Sequence, residues 1–432
     1  MLDWMIRGAN VWLGGKFVKT NVFVKDGHVA HIGPERLEVK QIYDCEDNYL
    51  IPGLIDPHVH FDLDLGSRRS KDDFYTGSVC AALGGVTTVI DFLAPSSNAK
   101  ELKKNYKARC EDAAECMIDY AFHATIKDPE DPEEFLAEMN LLGLDSLKFF
   151  TTYSESGRRT DHDQIKALLS IAKKHHVVLL GHLEKDELID LNPNFLYQRL
   201  GESRSTEAET TAALELARMV KDSFADFYMV HCSSGKTLEA LMKRHGDLLS
   251  TRFFVESCPH YLLFDESVLY KPDGYLYTMA PPLRPEAEKN ALYRLFSELR
   301  TIGTDHCSFD RADKNKDYLK DIPLGVGGIE HSFHVLYHEF GDAVIDKMSK
   351  NPAAIFRLKN KGEIKVGFDA DFALFKKGER VIEESHSAAD SDIYLGRTVS
   401  TEFVMTMLEG RIVMEHGNVR HSIGRRIKGI DL

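Results

Sequence analysis

From residue 49 to about residue 307, short apolar, β-branched or aromatic runs alternate with longer amphipathic or charged segments, the mark of repeated βα units. Eight such runs stand out, at residues 49–61, 86–92, 118–126, 146–153, 177–184, 227–232, 252–259 and 300–307. The segments between them, such as 71–83, 98–116, 131–142 and 208–221, are long enough for crossover helices. Eight strand and helix alternations in unbroken succession predict an α/β fold of the (β/α)8 TIM-barrel type rather than an open sheet, because eight strands close around a filled interior.

The two ends of the chain have a different texture. Residues 5–50 and 363–420 read as short strands with turn residues, as in Val22-Phe23-Val24-Lys25-Asp26-Gly27-His28-Val29 and Val404-Met405-Thr406-Met407-Leu408-Glu409-Gly410-Arg411-Ile412-Val413. Neither piece alone can bury a good core, so one small β-sandwich assembled from both termini is expected. The predicted division is residues 1–50 with 360–432 for the sandwich and 51–359 for the barrel.

Composition narrows the function. With 54 Lys+Arg against 68 Asp+Glu the formal net charge is −14, and no long basic block is present, which argues against nucleic acid as a partner. No stretch approaches the roughly 18 consecutive apolar residues of a spanning helix, and Met1-Leu2-Asp3-Trp4 lacks the start of a signal peptide, so no membrane partner and a cytoplasmic location are expected. The 7 cysteines are scattered without a Cys-x-x-Cys pair and read as free thiols of a reducing compartment.

Placing polar residues on the strands yields the candidate chemistry. His58 and His60 end the first strand, Lys148 lies on the fourth, His182 on the fifth, His231 on the sixth and Asp305 on the eighth, all near C-terminal strand ends. Those ends ring one mouth of such a barrel, where catalytic groups sit. The two-residue period of His58-Val59-His60 turns both imidazoles to one side of the strand, ready for one metal. A single buried histidine is more often a hydrogen-bonded core residue than a ligand, but six such positions on strand ends point to a metal site. Lys148 occupies a strand interior in Ser146-Leu147-Lys148-Phe149-Phe150. Burial would lower its pKa and free a neutral amine that can combine with CO2 to form a carbamate, a bidentate oxygen ligand. A lysine that snorkels to the mouth or pairs with Asp305 accounts for the residue equally well.

Several segments taken in order carry a resemblance: Ile51-Pro52-Gly53-Leu54-Ile55-Asp56-Pro57-His58-Val59-His60, Gly84-Gly85-Val86-Thr87-Thr88, Glu256-Ser257-Cys258-Pro259-His260-Tyr261-Leu262, Ala280-Pro281-Pro282-Leu283-Arg284 and Gly303-Thr304-Asp305-His306-Cys307. Over nearly its whole length the chain resembles the cyclic amidohydrolases, and within them it is most similar to hydantoinases and dihydropyrimidinases. The resemblance implies two divalent metal ions, zinc by preference with manganese as the alternative. It places His58, His60 and Asp305 on one ion, His182 and His231 on the other, and a CO2-derived carbamate on Lys148 between them.

It further implies that Tyr153 contacts the substrate carbonyl and that Asp305 shuttles the proton. Ala280, where the family often has Ser, and Leu324, where it usually has Asn, would bind the ring, with Leu63 and Leu65 around its substituent. The implied partner is a small cyclic amide or ureide, opened to an N-carbamoyl amino acid, and the implied assembly is a homo-oligomer, tetramer or dimer. Allantoinase and a non-catalytic dihydropyrimidinase-like assembly protein are the alternatives; a mononuclear deaminase would not need Lys148. Dihydroorotases place Arg two residues after the second His, where this chain has Asp62. Arg68 and Arg69 read as solvated loop charges, with recognition of an anionic substituent as the rival reading. Glu184 is expected to support His182, Arg284 to pair with an acid near the rim, and Cys232 and Cys307 to pack.

Overall fold

The computed structural model describes residues 1–45, 47–66, 68–249 and 251–429; Ser67 of the loop after His60 and the last three residues of the expected sandwich segment lie outside the described residues. Eight parallel strands run in sequence order: Leu54–Val59, Val86–Phe92, Asp119–Thr125, Ser146–Phe150, Val178–His182, Phe227–Met229, Phe253–Ser257 and Thr301–Ile302. The first two are buried at every position, as strands covered on both faces must be. The ring closes through a parallel bridge between Val59 and His306 and through the His60 N–H, which donates to the His306 carbonyl at 2.8 Å. Asp56 adds a polar clasp across the seam, accepting from the backbone N–H groups of His58 and Thr304, each at 3.1 Å.

Local sequence explains the crossover helices. Asp73 caps Phe74–Leu83 in a reciprocal box with Thr76, Asn98 caps Ala99–Asp112 through Glu101 N, and Asp131 caps Pro132–Leu142, whose proline stands where no intrahelical N–H is needed. His162–Ala172 turns Ile165, Leu168, Leu169 and Ala172 inward, one stripe at helical spacing. Among the described residues, no helix is long and apolar enough to cross a membrane.

Strands from both termini join in one mixed sheet. Its order is Asn418–Val419, Arg411–Glu415, Thr398–Leu408, Phe372–Val381, Tyr49–Pro52, Leu2–Leu13, Lys16–Lys25 and His28–Gly33, with Val39–Asp44 also paired to Leu2–Leu13. Ile6, Val11, Val22, Val24, Leu50, Phe372, Leu374, Met405 and Met407 form its own core. Beneath the barrel, Lys361 is buried among Asp119, at the start of the third strand, and Asp369 and Asp371 of the terminal segment, at 2.7 Å from Asp119 and 3.3 Å from Asp369. Arg425 adds a second cation to Asp119 and Asp369. This network ties the sheet to the barrel floor.

Two sequence expectations need correction. The run at residues 49–61 is two strands: Tyr49–Pro52 pairs antiparallel with Phe372–Val381 in the terminal sheet, and Leu54–Val59 opens the barrel. Pro52 brings no N–H to a ladder, and Gly53 passes so close to Thr87 that a Cβ would lie 2.2 Å from its Oγ1. The sixth and eighth strands also stop earlier than expected, at Met229 and Ile302, so His231 and Asp305 lie beyond them. Both adopt left-handed backbone, φ 41° and 51°, which turns the chain out of the ladder at the mouth.

Candidate metal centre and active site

The first barrel strand delivers His58 and His60 to the mouth, and the turn after the eighth delivers Asp305. His58 Nδ1 lies 2.8 Å from Glu256 Oε1, so with its N–H donating there the other nitrogen carries the lone pair. That nitrogen, His58 Nε2, is buried, has no hydrogen-bond partner and stands 3.2 Å from Asp305 Oδ1. His60 Nε2 is 3.0 Å from the same oxygen, and one donor atom from each of the three residues falls within a 4.8 Å group. Ligands about 2.0–2.1 Å from a tetrahedral zinc stand roughly 3.3 Å apart, so this spacing suits one divalent cation.

A second pair faces the first. His182 Nε2 is 2.6 Å from Glu184 Oε2, and Glu184 is held in turn by Arg204, whose Nε lies 3.1 and 3.2 Å from the two carboxylate oxygens. With Nε2 engaged, Nδ1 is the nitrogen His182 can offer. The His231 ring meets His182 edge-on at 4.6 Å and stacks on His58 at 5.5 Å, while its backbone N–H donates to Glu256 at 2.8 Å. Glu184 thus occupies the supporting position expected of it.

Lys148 is buried between these pairs, its Nζ 5.1 Å from the centre of the Phe92 ring and 5.4 Å from that of Phe150. It neither snorkels to solvent nor forms an ion pair with Asp305. Burial lowers its pKa to about 8. Burial likewise holds His60 and His231 below the usual imidazole range and brings His182 down to about 4, so the rings are neutral and can donate lone pairs. For Asp305 burial works toward protonation, but the facing His58 and His60, the latter in hydrogen-bond contact at 3.0 Å, hold its carboxyl well below the usual range. Burial raises Tyr153 to about 12, leaving its hydroxyl a donor at neutral pH.

All six residues line one cavity of about 520 Å³, together with Leu63, Leu65, Tyr153, Ala280 and Leu324. The structure therefore gathers the six candidate metal ligands and the five candidate substrate contacts around one space. Arg69 is the solvated loop charge expected of it, and Arg68 is half-buried. Arg68 donates to the backbone carbonyls of Asp313 (3.2 Å) and Asp321 (2.8 Å), while Arg69 pairs with Asp62 (2.6 Å) and Asp64 (3.2 Å). The partners of Arg69 stand in its own loop, whereas those of Arg68 lie 245 and 253 residues away, a meeting that local sequence does not reveal. Arg284 lies in the interior rather than at the rim, donating to Ser233 Oγ at 2.9 Å and the Arg204 carbonyl at 2.6 Å, with Glu209 at 3.7 Å. Cys232 and Cys307 are buried free thiols.

Two residues escaped the sequence reading. Glu256, on the seventh strand, also accepts from the Tyr228 hydroxyl at 2.6 Å, and Gly303 leaves it room: a Cβ there would lie 2.5 Å from Glu256 Oε2. Its only signal was a carboxylate inside a buried strand. Lys314 sits in the charged stretch 310–321, yet it is fully buried and donates to the Thr278 carbonyl at 2.8 Å and to that of Gly325. It joins the segments that carry Ala280 and Leu324. A lysine among seven other charges gives no hint of this.

Residues 49–413 match the amidohydrolase family. The chain is 30% identical over 442 residues to a D-hydantoinase of Geobacillus stearothermophilus, covering 95% of this chain and 92% of that one. It is 28% identical to a D-hydantoinase of Ralstonia pickettii, over 96% of both chains. A crystal structure of D-hydantoinase superposes with a TM-score of 0.92 at 29% identity, covering 100% of this chain and 99% of the other. That of dihydropyrimidinase from Brevibacillus agri NCHU1002 gives 0.92 at 27% identity and 99% of both. With this fold, this mouth and a match over most of its length, the chain belongs to the amidohydrolase family.

Proposed function

We propose that this chain is a binuclear metal-dependent hydrolase that opens the cyclic amide of a hydantoin or dihydropyrimidine ring to an N-carbamoyl amino acid. The observation that carries the reading is the convergence of His58 and His60 on one oxygen of Asp305, opposite the His182 and His231 pair, with Lys148 buried between them. His58, His60 and Asp305 would hold one ion and His182 and His231 the other. As a carbamate, formed when its neutral amine adds to CO2 and releases a proton, Lys148 would supply two anionic oxygens to the centre. Zinc suits the nitrogen-rich set, and manganese is the alternative. When bound, the two cations supply the Lewis acidity that makes hydroxide available from water near pH 7.

The chain's own groups do the rest. Asp305 takes the proton of the attacking water and returns it to the ring nitrogen as the C–N bond breaks. The Tyr153 hydroxyl donates to the ring carbonyl oxygen as negative charge develops there. Leu63, Leu65 and Leu324 surround the ring and its substituent with apolar surface, and Ala280 offers its backbone. In this reading residues 51–359 form the catalytic unit, supported by the terminal β-sheet domain of residues 1–50 and 360–432. The names of the relatives, D-hydantoinase and dihydropyrimidinase, support the substrate class.

The test is elemental analysis of protein prepared without chelator, with turnover of hydantoins, dihydrouracil, allantoin and dihydroorotate on the same sample. Close to two divalent ions per chain and opening of hydantoins or dihydrouracil are expected. Full activity with a metal content near zero would overturn the metal assignment, and hydrolysis of allantoin alone would make the enzyme an allantoinase.

A further inference from the structure

We infer that Arg158 makes this cavity selective for rings whose substituent carries a carboxylate. The inference rests on the ring-opening reading above and specifies its substrate. Arg158 lines the cavity beside Tyr153 and Lys148, and among the described residues its guanidinium has no ion pair and no hydrogen bond to another side chain or carbonyl. The other arginines of the cavity wall are spoken for. Arg69 is matched by Asp62 and Asp64, and Arg109 by Asp91 at 2.7 Å and Asp112 at 3.4 Å.

The turn that carries Arg158 is built to hold it. Tyr153 and Gly157 both adopt left-handed backbone, φ 69° and 68°, around the short helix Ser154–Ser156, and the Arg158 N–H donates back to the Tyr153 carbonyl at 3.1 Å. Asp186 anchors the turn from outside, accepting from Ser154 N at 3.2 Å and Ser154 Oγ at 2.5 Å. Neighbouring Arg159 is consumed there, at 3.2 Å from Asp186, 3.0 Å from Glu187 and 3.3 Å from Asp161. One rigid turn therefore presents the Tyr153 ring and an uncompensated guanidinium to the same space, while the adjacent arginine faces an acidic cluster elsewhere. A planar fork of donors without an acceptor is matched by a carboxylate, which takes two parallel N–H bonds. In a chain of net charge −14, a cavity cation without a counterion marks a place where an anionic group is favoured.

The experiment compares kcat/KM for a hydantoin bearing a 5-(2-carboxyethyl) group and for its carboxamide isostere, on wild type, Arg158→Gln, Arg158→Lys and Arg159→Gln. Wild type should favour the carboxylate. Arg158→Gln should lower the carboxylate-to-carboxamide ratio about tenfold, mainly through KM, and Arg158→Lys should retain part of it. Arg159→Gln, which removes the neighbouring charge outside the cavity, should leave the ratio within about twofold. An unchanged ratio in Arg158→Gln overturns the inference while ring opening stands. Should metal-loaded wild type open neither ring, the ring-opening reading fails, and calorimetric binding of the same pair decides the arginine by itself: equal affinities would overturn it.

Discussion

Glu256 Oε1 lies 2.8 Å from His58 Nδ1, which joins the seventh barrel strand to the first across the mouth. The same oxygen accepts from the His231 backbone, so one carboxylate orients residues from both halves of the candidate metal centre. Groups that fix the tautomer and angle of a ligating histidine typically contribute 10- to 100-fold in metal affinity. Glu256→Gln keeps an acceptor but loses the charge. Its metal affinity should fall by about that factor in chelator competition while the far-ultraviolet circular dichroism stays as in wild type. Unaltered affinity would show that Glu256 serves only the fold.

Lys148 has a separate test. Lys148→Ala should lose nearly all turnover together with bound metal, and short carboxylic acids added with metal should restore part of both by supplying the missing oxygens. Wild-type turnover and metal content in this variant would remove the carbamate from the account.

Lys314 stands apart from the candidate metal ligands. By donating to Thr278 and Gly325 it fixes the two segments that present Ala280 and Leu324. Lys314→Met fills similar space without a donor, leaving two carbonyls unmatched at a cost of roughly 1–3 kcal/mol each. KM should rise severalfold, kcat should change less, and metal content should stay at the wild-type value. A loss confined to kcat or to metal content would argue against a positioning role.

Acid sensitivity has an identifiable contributor in His260. Its ring is buried, both nitrogens lack hydrogen-bond partners, and burial lowers its pKa to about 4. The unfolded chain protonates near 6.5, so between about pH 6.5 and 4 it binds a proton that the folded chain refuses, and stability falls as pH drops through that window. Asp56, raised to about 6 by burial, works in the opposite direction, so the single-residue term is best read by difference. Relative to wild type, His260→Phe should gain on the order of 2 kcal/mol between pH 7 and pH 5 in urea titrations of metal-free protein. A difference independent of pH would refute the assignment.

The alternation of βα units and the positions of His58, His60, Lys148, His182, His231 and Asp305 were legible in the sequence by itself, because strand period and strand ends are local properties. The placement of Leu63, Leu65, Tyr153, Ala280 and Leu324 on the cavity wall was implied by the resemblance to the cyclic amidohydrolases. Only the tertiary structure decided the rest. It split residues 49–61 between two sheets, put His231 and Asp305 on left-handed turns past their strands, engaged Arg68 with acceptors, and left Arg158 unmatched in the cavity. It also assigned Glu256 and Lys314 their work. Glu256 meets His58 across 198 residues of chain and Arg68 meets the Asp321 carbonyl across 253. A buried charge is decided by which partner closure of the barrel brings within 3 Å, and no local pattern of hydrophobic and polar residues encodes that meeting.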